Sequence, residues 1–316
     1  MKILITCVGR RVELVQEFYR ASKELNIELK IYGTDADLTA PALSFCDEKV
    51  LAPKIRSDEY IPFLLDFCKT EKIDGVIPTI DTDLLILAEN KSQFEQLGTK
   101  VFVAGVSEIA VCRDKRKTAD YFKNLGLSSP FAVDDILKYD GGFPAFIKPK
   151  DGSSSINAFK VDTFEQLKTY SDRIDGYIVQ PFVSGTEYTV DIFCDYLGNP
   201  IFITPRVRLA VRAGEVLKTQ IKNDKSIVDE MLTLIKAFKP SGPMTVQLIK
   251  DDKTGVNHYI EINPRFGGGA PLSIKAGADS VKALLKVLNG EKVSYEPFIA
   301  EDGAIFCRFD QSVRVK

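Results

Sequence analysis

Two short runs of the sequence, Thr245-Val-Gln-Leu-Ile249 and His258-Tyr-Ile-Glu-Ile-Asn-Pro-Arg265, have the composition of β-strands. A polar loop, Lys250-Asp-Asp-Lys-Thr-Gly-Val-Asn257, lies between them and is rich in residues that favour turns. Two strands joined by such a loop form an antiparallel hairpin, in which residues of the two runs stand opposite each other. The sequence therefore predicts a β-hairpin over residues 245–265.

One face of this hairpin carries oxygen donors. Side chains alternate between the faces of a strand, so Glu261 and Asn263 share a face, and a turn centred near Thr254 sets Gln247 across from Glu261. A carboxylate and two amide carbonyls suit Mg²⁺, which takes few protein ligands and completes its octahedron with water and phosphate oxygens. Arg265, just past the second strand, would supply a planar cation for a phosphate. An ordinary hairpin with a polar outer face is the alternative.

The composition limits the classes of function. The chain has 316 residues, more than a usual single core, which predicts two or three structural units. A formal net charge of −2, with both signs interleaved, argues against a dedicated nucleic-acid or anionic-membrane surface. The six cysteines are scattered without a CxxC pair, so we expect buried free thiols in a reducing compartment. The run Met1-Lys-Ile-Leu-Ile5 is too short for a signal peptide or a membrane span, and we expect a cytoplasmic protein.

His258 is the single histidine of the chain. One histidine argues against His-rich zinc sites and against Ser-His-Asp triads. If the second hairpin strand is regular, His258 lies on the face opposite Glu261. We therefore expect a structural role for His258.

The first third of the chain alternates strand and helix patterns. Such alternation implies right-handed crossovers and a parallel sheet covered on both faces, which is a Rossmann-like unit. The predicted strands are residues 2–6, 29–33, 49–52, 75–79 and 100–104, and the predicted helices are residues 11–25, 58–72 and a segment after Asp81-Thr-Asp83.

The first turn between strand and helix, Thr6-Cys-Val-Gly-Arg-Arg11, lacks the G-x-G-x-x-G pattern of dinucleotide sites. Arg10 and Arg11 would instead lie in the crevice at the carboxyl end of the sheet, near a helix N-terminus. That place suits a small anion such as a substrate carboxylate. Solvated arginines, or arginines in salt bridges, are the alternative.

The pattern changes near Arg113. A helix over residues 114–125 ends before Gly126, and a strand over residues 145–149 leads into the loop Lys150-Asp-Gly-Ser-Ser-Ser-Ile-Asn157. Small residues let backbone N–H groups and hydroxyls converge on phosphate oxygens, although no Walker A pattern occurs and a surface turn is the alternative. Pro181 cannot donate to a strand ladder, so the strand near it would leave backbone groups free for a purine ring.

Together these segments resemble the ATP-grasp superfamily, in particular one synthetase unit of the carbamoyl-phosphate synthase large chain. The resemblance covers nearly the whole chain and implies an α/β and α+β fold. It implies a Rossmann-like pre-ATP-grasp domain at residues 1–112, an ATP-grasp lid subdomain at 113–183 and an ATP-grasp C-terminal subdomain at 184–316. The motifs that carry it are Val-Gln-Leu248 with Tyr259-Ile-Glu-Ile-Asn-Pro-Arg265, Asp114-Lys115 at a helix start, Phe146-Ile-Lys148-Pro149, and Gln180-Pro-Phe-Val183 with Glu187.

The resemblance implies ATP and Mg²⁺ as cofactors, with room for two ions and with Mn²⁺ as a substitute. Lysines would neutralise phosphates, a small-residue loop would cover the β- and γ-phosphates, and the strand near Pro181 would frame the adenine. The implied nucleotide residues are Lys115, Lys148, Gly152, Ser153, Ser154, Ser155, Gln180, Pro181, Phe182, Val183 and Glu187. The implied metal ligands are Gln247, Glu261 and Asn263, and Arg265 would stabilise charge on the transferred phosphoryl group in catalysis. Apart from the resemblance, the sequence carries a basic cluster, Arg206, Arg208, Arg212 and Lys218, that could hold the triphosphate or a substrate carboxylate. Lys218 is the member expected to contact phosphate during catalysis, and a solvated charge is the alternative.

The implied activity is that of an ADP-forming ligase that joins a small carboxylate to an amine, or another nucleophile, through an acyl phosphate. An ATP-grasp kinase that releases a phosphorylated product and a non-catalytic ATP sensor or scaffold are the alternatives. Gln247 leaves one carboxylate in the metal trio where many relatives have two, which makes activity itself a point to test. The sequence names neither the carboxylate nor the nucleophile, and a homodimer is the default expectation.

Overall fold

A computed structural model describes residues 1–150 and 156–315, and within these ranges the strands form three sheets. The first sheet uses strands from residues 2–101, the second from residues 145–181 and the third from residues 185–307. Each sheet is thus built from one continuous stretch of the chain. No helix in the described part is long and apolar enough to span a membrane.

The first sheet is parallel, as predicted, with the strand order 3-2-1-4-5. The first strand pairs with the second on one side and the fourth on the other, so the chain reverses direction across the sheet there and leaves a crevice at the carboxyl ends. The strands are β1 (Lys2–Thr6), β2 (Lys30–Asp35), β3 (Glu48–Leu51), β4 (Gly75–Pro78) and β5 (Lys100–Val101), and the helices between them are α1 (Val12–Glu24), α2 (Tyr60–Glu71), α3 (Leu84–Glu89) and α4 (Lys91–Gln96).

The strand predicted over residues 100–104 is shorter than expected. Only Lys100–Val101 pairs with β4, because the Val103 N–H turns back to donate to the Val101 carbonyl at 2.9 Å. The other predicted strands and helices of this unit lie within two residues of their expected bounds.

The second sheet is antiparallel, small and separate. Its side chains form a hydrophobic core of their own around Ile147, Val161 and Val179, apart from the cores of the other two sheets. Two helices lead into it, and Asp114 caps the second of them by accepting a hydrogen bond from the Arg116 N–H. The elements are α5 (Val106–Cys112), α6 (Lys115–Asn124), β6 (Ala145–Pro149), β7 (Phe159–Val161), α7 (Phe164–Ser171) and β8 (Tyr177–Pro181), in the sheet order β7-β6-β8.

The third sheet is antiparallel and shares its packing with the first. Leu4 of the first sheet and Val190 of the third lie in one buried cluster, and Ile5 and Phe193 lie in another. Two shared cores fix the first sheet against the third. The elements are β9 (Gly185–Cys194), β10 (Pro200–Arg212), β11 (Glu215–Ile221), α8 (Lys225–Phe238), β12 (Pro243–Asp251), β13 (Asn257–Asn263), α9 (Ala270–Lys275), α10 (Ser280–Leu288) and β14 (Ile305–Cys307), in the sheet order β13-β12-β9-β10-β11-β14.

The predicted hairpin is β12–β13, and Gln247 pairs with Glu261 as expected. The strand is not regular, however, because the register skips Ile260 in a β-bulge, so that His258 pairs with Ile249. Residues 247 and 249 share a face of β12, which puts His258 on the same face as Glu261 rather than on the opposite one. The His258 Nδ1 atom lies 2.9 Å from the Oγ atom of Ser128, a contact that ties the hairpin to the segment after α6.

Candidate functional site

A cavity of about 480 Å³ lies between the crevice of the first sheet and one face of the third. Its wall combines segments that are far apart in sequence. The first sheet contributes Arg11 and Asp81, the start of α6 contributes Lys115, and the third sheet contributes residues from β9, β10, β12 and β13. The cavity is large enough for a small-molecule ligand.

The proposed metal ligands line this cavity. Glu261, Gln247 and Thr189 are cross-strand neighbours in one row of the third sheet, and Asn263 and Thr245 begin the next row. Within residues 1–150 and 156–315, no group of three or more His, Cys, Asp or Glu side chains could hold a metal ion. A site of one carboxylate and two amides falls outside that definition, yet its all-oxygen donor set fits Mg²⁺ with water and phosphate as the remaining ligands.

Of the two predicted lysines, Lys115 lines the cavity, whereas Lys148 is not among its lining residues. Lys148 lies on β6 and is only 7% exposed. Burial, and to a smaller extent the charge of Lys115, lower the pKa of Lys148 to about 8 against the opposing effect of the Glu261 charge. Three groups that act on one another in this way are close in space. A buried ammonium with a second cation close by favours an anionic ligand at this place.

Some polar groups of the segment expected to frame the adenine already form hydrogen bonds within the protein. Gln180 is buried, and its Nε2 donates to the Pro130 carbonyl at 3.0 Å. The Phe182 N–H donates to the Pro144 carbonyl at 3.1 Å. Backbone groups at Pro181 and Val183, rather than the Gln180 amide, are therefore the candidates for contact with a purine. The predicted phosphate-loop residues Gly152, Ser153, Ser154 and Ser155 lie outside the described residues.

Glu187 lies on β9 at the end of the metal face. Its carboxylate forms an ion pair with the Nε atom of Arg208 at 3.1 Å, and the Arg208 side chain is almost fully buried whereas that of Glu187 is 45% exposed. An exposed carboxylate beside the cavity is available to a hydroxyl ligand, and Arg208 holds it in place.

Arg265 extends from the end of β13 into the cavity. One of its terminal nitrogens donates to the Asp81 carboxylate at 2.9 Å. Asp81 follows β4, at the carboxyl edge of the first sheet, and was not among the predicted site residues. Its place after a parallel strand is the sequence signal that could have found it.

Arg11 borders two cavities, whereas Arg10 is exposed at the edge of the smaller one. The smaller cavity measures about 210 Å³ and adjoins the first turn of the chain. Burial, and to a smaller extent the charge of Arg265, lower the pKa of Arg11 to about 10 against the opposing effects of Glu215 and Asp81. The Arg11 Nη2 atom donates to the Thr79 carbonyl at 3.3 Å. Of the two predicted arginines, Arg11 is the one that reaches the main cavity.

Lys218 is exposed and is not among the cavity-lining residues. The pairing of β10 with β11 shifts register after Arg208, so that Lys218 stands opposite Ala210. Arg206 and Arg208, from the same basic cluster, line the cavity instead. Residues two apart on a strand share a face, so the spacing of Arg206 and Arg208 is the sequence signal that could have identified both as lining residues.

Three consecutive glycines after Arg265 let the backbone pass close to side chains of the site. A Cβ atom on Gly267 would lie 2.9 Å from the Thr245 hydroxyl, one on Gly268 would lie 2.9 Å from Arg11 Nη1, and one on Gly269 would lie 2.5 Å from Arg206 Nη2. A methyl group at any of the three positions would force the facing side-chain atom to shift. The loop over residues 267–269 therefore forms a bare backbone surface between the two arginines.

Comparison with known proteins agrees with this geometry. Residues 3–102 match the family described as "PylC-like, N-terminal domain", and residues 173–305 match "ATP-grasp in the biosynthetic pathway with Ter operon". A carbamoyl-phosphate synthase of Methanobrevibacter smithii is 25% identical over 214 residues, which covers 65% of this chain but only 55% of that relative. The 3-methyl-D-ornithine–L-lysine ligase of Methanosarcina acetivorans is 22% identical over 94% of this chain and 77% of its own length.

The fold is shared with solved structures as well. A biotin carboxylase from Campylobacter jejuni superposes with a TM-score of 0.73 at 21% identity, over 97% of this chain and 75% of that one. Residues 173–305 match an ATP-grasp family, and the chain as a whole resembles ATP-grasp ligases, among them a synthetase unit of carbamoyl-phosphate synthase, as its sequence predicts. The relatives of the chain are ADP-forming ATP-grasp ligases, and ATP-grasp enzymes use ATP and Mg²⁺.

Proposed function

We propose that the chain is an ATP- and Mg²⁺-dependent ligase that joins a small carboxylate to an amine, or to another nucleophile, through an acyl phosphate. The observation that carries the proposal is the cavity wall on which Lys115 and Arg265 lie together with the oxygen donors Gln247, Glu261 and Asn263. Cations beside an oxygen-lined face form the charge pattern that a metal-bound polyphosphate requires, and the buried Lys148 is close enough for the charges of Lys115 and Glu261 to shift its pKa.

The phosphates of ATP would be held by Lys115 and Lys148, with the loop that contains Gly152, Ser153, Ser154 and Ser155 above them. Pro181, Phe182 and Val183 would border the adenine beside Gln180, and Glu187 would accept hydrogen bonds from the ribose. The aromatic ring of Phe182 lies 6.4 Å from that of Phe146, and Lys160 Nζ lies 5.1 Å from the Phe182 ring centre, so its position is fixed by packing.

Mg²⁺ would be held by Glu261, Gln247 and Asn263, with Mn²⁺ as a substitute and a second ion as an option. A bound divalent ion supplies neutralisation of phosphate charge. The residues of this chain hold the ion and the phosphates in position. The row from Glu261 to Thr189 belongs to a hydrogen-bonded sheet, so its side chains are presented from a rigid surface.

The proposed reaction has two steps. A carboxylate oxygen of the substrate bonds to the γ-phosphorus of ATP, the bond from that phosphorus to the bridging oxygen breaks, and ADP leaves with the electron pair. The amine nitrogen then bonds to the acyl carbon, the bond from that carbon to the phosphate oxygen breaks, and phosphate leaves and takes up the amine proton. Arg265 would stabilise charge on the transferred group, which requires in-line positioning more than a protein nucleophile.

Closure of the site would protect the acyl phosphate from water. The small second sheet has a hydrophobic core of its own, which supports its motion as a unit. We assign the lid to residues 113–183, between a pre-ATP-grasp domain at 1–112 and a C-terminal subdomain at 184–316. A cytoplasmic location and a homodimer complete the proposal.

Turnover with mixed substrates tests this function. The protein is incubated with ATP, Mg²⁺ and pools of small carboxylates and amines, and ADP, phosphate and coupled product are measured. A ligase forms all three, and Glu261→Ala abolishes turnover whereas Glu28→Ala, at an exposed site, does not.

Two other outcomes separate the alternatives. A stable phosphorylated product without amine incorporation would identify a kinase. Nucleotide binding with no turnover in any pool, and loss of only ATP affinity in Glu261→Ala, would identify a sensor. The single carboxylate that Gln247 leaves in the metal trio is the observation that keeps the sensor as a second candidate.

A further inference from the structure

Arg206 is a buried arginine on β10, with 2% of its surface exposed. Its Nε atom donates to the Asp191 Oδ2 atom at 2.8 Å. The Ser273 hydroxyl donates to the same Oδ2 atom at 2.6 Å and so fixes the carboxylate from α9. One edge of the guanidinium is thereby anchored, and its other nitrogens are left for other partners.

Arg206 is one of the residues that line the main cavity. Its Nη1 atom is buried without a hydrogen-bond partner among the described residues. The Nη2 atom lies against Gly269, where no side chain intervenes. A buried N–H group without an acceptor is unfavourable, so the site is built to receive one.

Arg206 and its neighbour Arg208 turn in opposite directions along the sheet. Arg208 pairs with Glu187, towards the end of the face expected to hold the ribose, whereas Arg206 pairs with Asp191, towards α9 and the glycine loop. Successive rows of the sheet place Glu187, Thr189 and Asp191 along one face of β9. Arg206 therefore points away from the nucleotide side and towards Arg11, on the far side of the metal row.

We propose that Arg206 binds the carboxylate of the small acid that the enzyme activates, with Nη1 and Nη2 as the donors and the glycine loop as the surface beside it. This inference rests on the proposed ligase function and adds to it a site for the substrate acid. The Asp191 carboxylate orients the guanidinium, and Ser273 is a positioning residue that acts through Asp191. Arg11, on the other side of the same loop, adds positive charge that attracts the acid.

The test is a binding measurement that does not require turnover. With ADP and Mg²⁺ saturating, acetate and inorganic phosphate are titrated separately by calorimetry into the wild type, Arg206→Met, Arg206→Lys and Arg212→Met. Arg212 is the matched control, because it lies on the same strand, its side chain is 64% exposed and it pairs with Asp310 outside the cavity. Affinity for ADP reports in every variant that the protein is folded.

We expect at least a tenfold loss of acetate affinity in Arg206→Met, a smaller loss in Arg206→Lys and no change in Arg212→Met. Phosphate affinity should change less than acetate affinity. Ser273→Ala, which keeps the arginine but frees its anchor, should weaken acetate binding by a few-fold, and it replaces Arg206→Met if that variant does not fold.

Two results would overturn the inference. Unchanged acetate affinity in variants that still bind ADP would mean that Arg206 and Asp191 form only a structural ion pair. Loss of phosphate affinity with acetate affinity intact would assign the site to the transferred phosphoryl group. Failure of the ligase function gives a different pattern, in which no substrate pool yields ADP although acetate binding depends on Arg206.

Discussion

The cavity has two walls that are built in different ways. One wall is the face of the third sheet, where Glu261, Gln247 and Thr189 stand side by side because strand pairing puts them there. The opposite wall is made of loops of the first sheet, where Arg11 and Asp81 meet although 70 positions separate them in sequence. Backbone hydrogen bonds hold the first wall, and packing and ion pairs hold the second. A rigid wall suits chemistry that is common to a superfamily, and a wall of loops suits the choice of substrate.

The largest expected effect is on the sheet wall. Glu261→Gln removes the one carboxylate of the metal trio, and we expect turnover to fall by about a hundredfold or more, which is the size of effect seen when a charge-stabilising group is lost. Gln247→Glu is the reciprocal change and should lower the Mg²⁺ concentration needed for half-maximal rate. Mg²⁺ titrations of the initial rate measure both. Equal Mg²⁺ dependence in all three proteins would break the assignment of this wall to the metal.

A change in the loop wall should act on substrate binding instead. Arg11→Met removes a positive charge beside the proposed acid site, and we expect KM for the acid to rise by roughly tenfold, which corresponds to about 1.4 kcal/mol. Affinity for ATP should stay within about twofold. Arg10→Met, at the exposed neighbouring position, is the control and should leave KM unchanged. A fall in kcat with constant KM would contradict the assignment of substrate binding to the loop wall.

The pH dependence of ATP affinity tests whether Lys148, on the small second sheet, contacts the bound phosphates. The pKa of Lys148 is lowered to about 8, so the free protein loses this charge as pH rises through 8, whereas bound phosphates favour the charged form. ATP affinity should therefore fall by a few-fold, and at most about tenfold, between about pH 7 and 9, with proton uptake on binding at the upper end. Calorimetry in buffers of different ionisation enthalpy measures both. Lys148→Arg should remove the decline, and a persisting decline would assign it to another group.

The smallest expected effect concerns the glycine loop beside the loop wall. In Gly268→Ala the new methyl group meets the end of the Arg11 side chain, which is flexible and can shift. We expect KM for the acid to rise by about threefold, which corresponds to less than 1 kcal/mol, with the melting temperature nearly unchanged. A large loss of stability without a change in KM would show that the loop serves packing rather than the placement of Arg11.

The sequence predicted the sheet wall better than the loop wall for a physical reason. Strand alternation has a fixed period, so Gln247 and Glu261 could be placed opposite each other from spacing alone, and Lys148 follows from the motif on its strand. Asp81 and Arg206 depend on how distant segments pack, and no local pattern carries that information. Lys218 illustrates the limit, because a register shift between two strands, invisible in composition, leaves it outside the cavity.

The bulge in β13 also determines where the chain can change in length. Ile260 is the one residue that the register skips, and the pairs Gln247–Glu261, Leu248–Tyr259 and Ile249–His258 remain in sequence without it. Loss of Ile260 would leave every cross-strand pair intact, whereas loss of Tyr259 would exchange a core side chain for a neighbour from the other face. Homologous hairpins that differ by one residue at this point can therefore carry the same site, and alignments should place such a gap at the bulge.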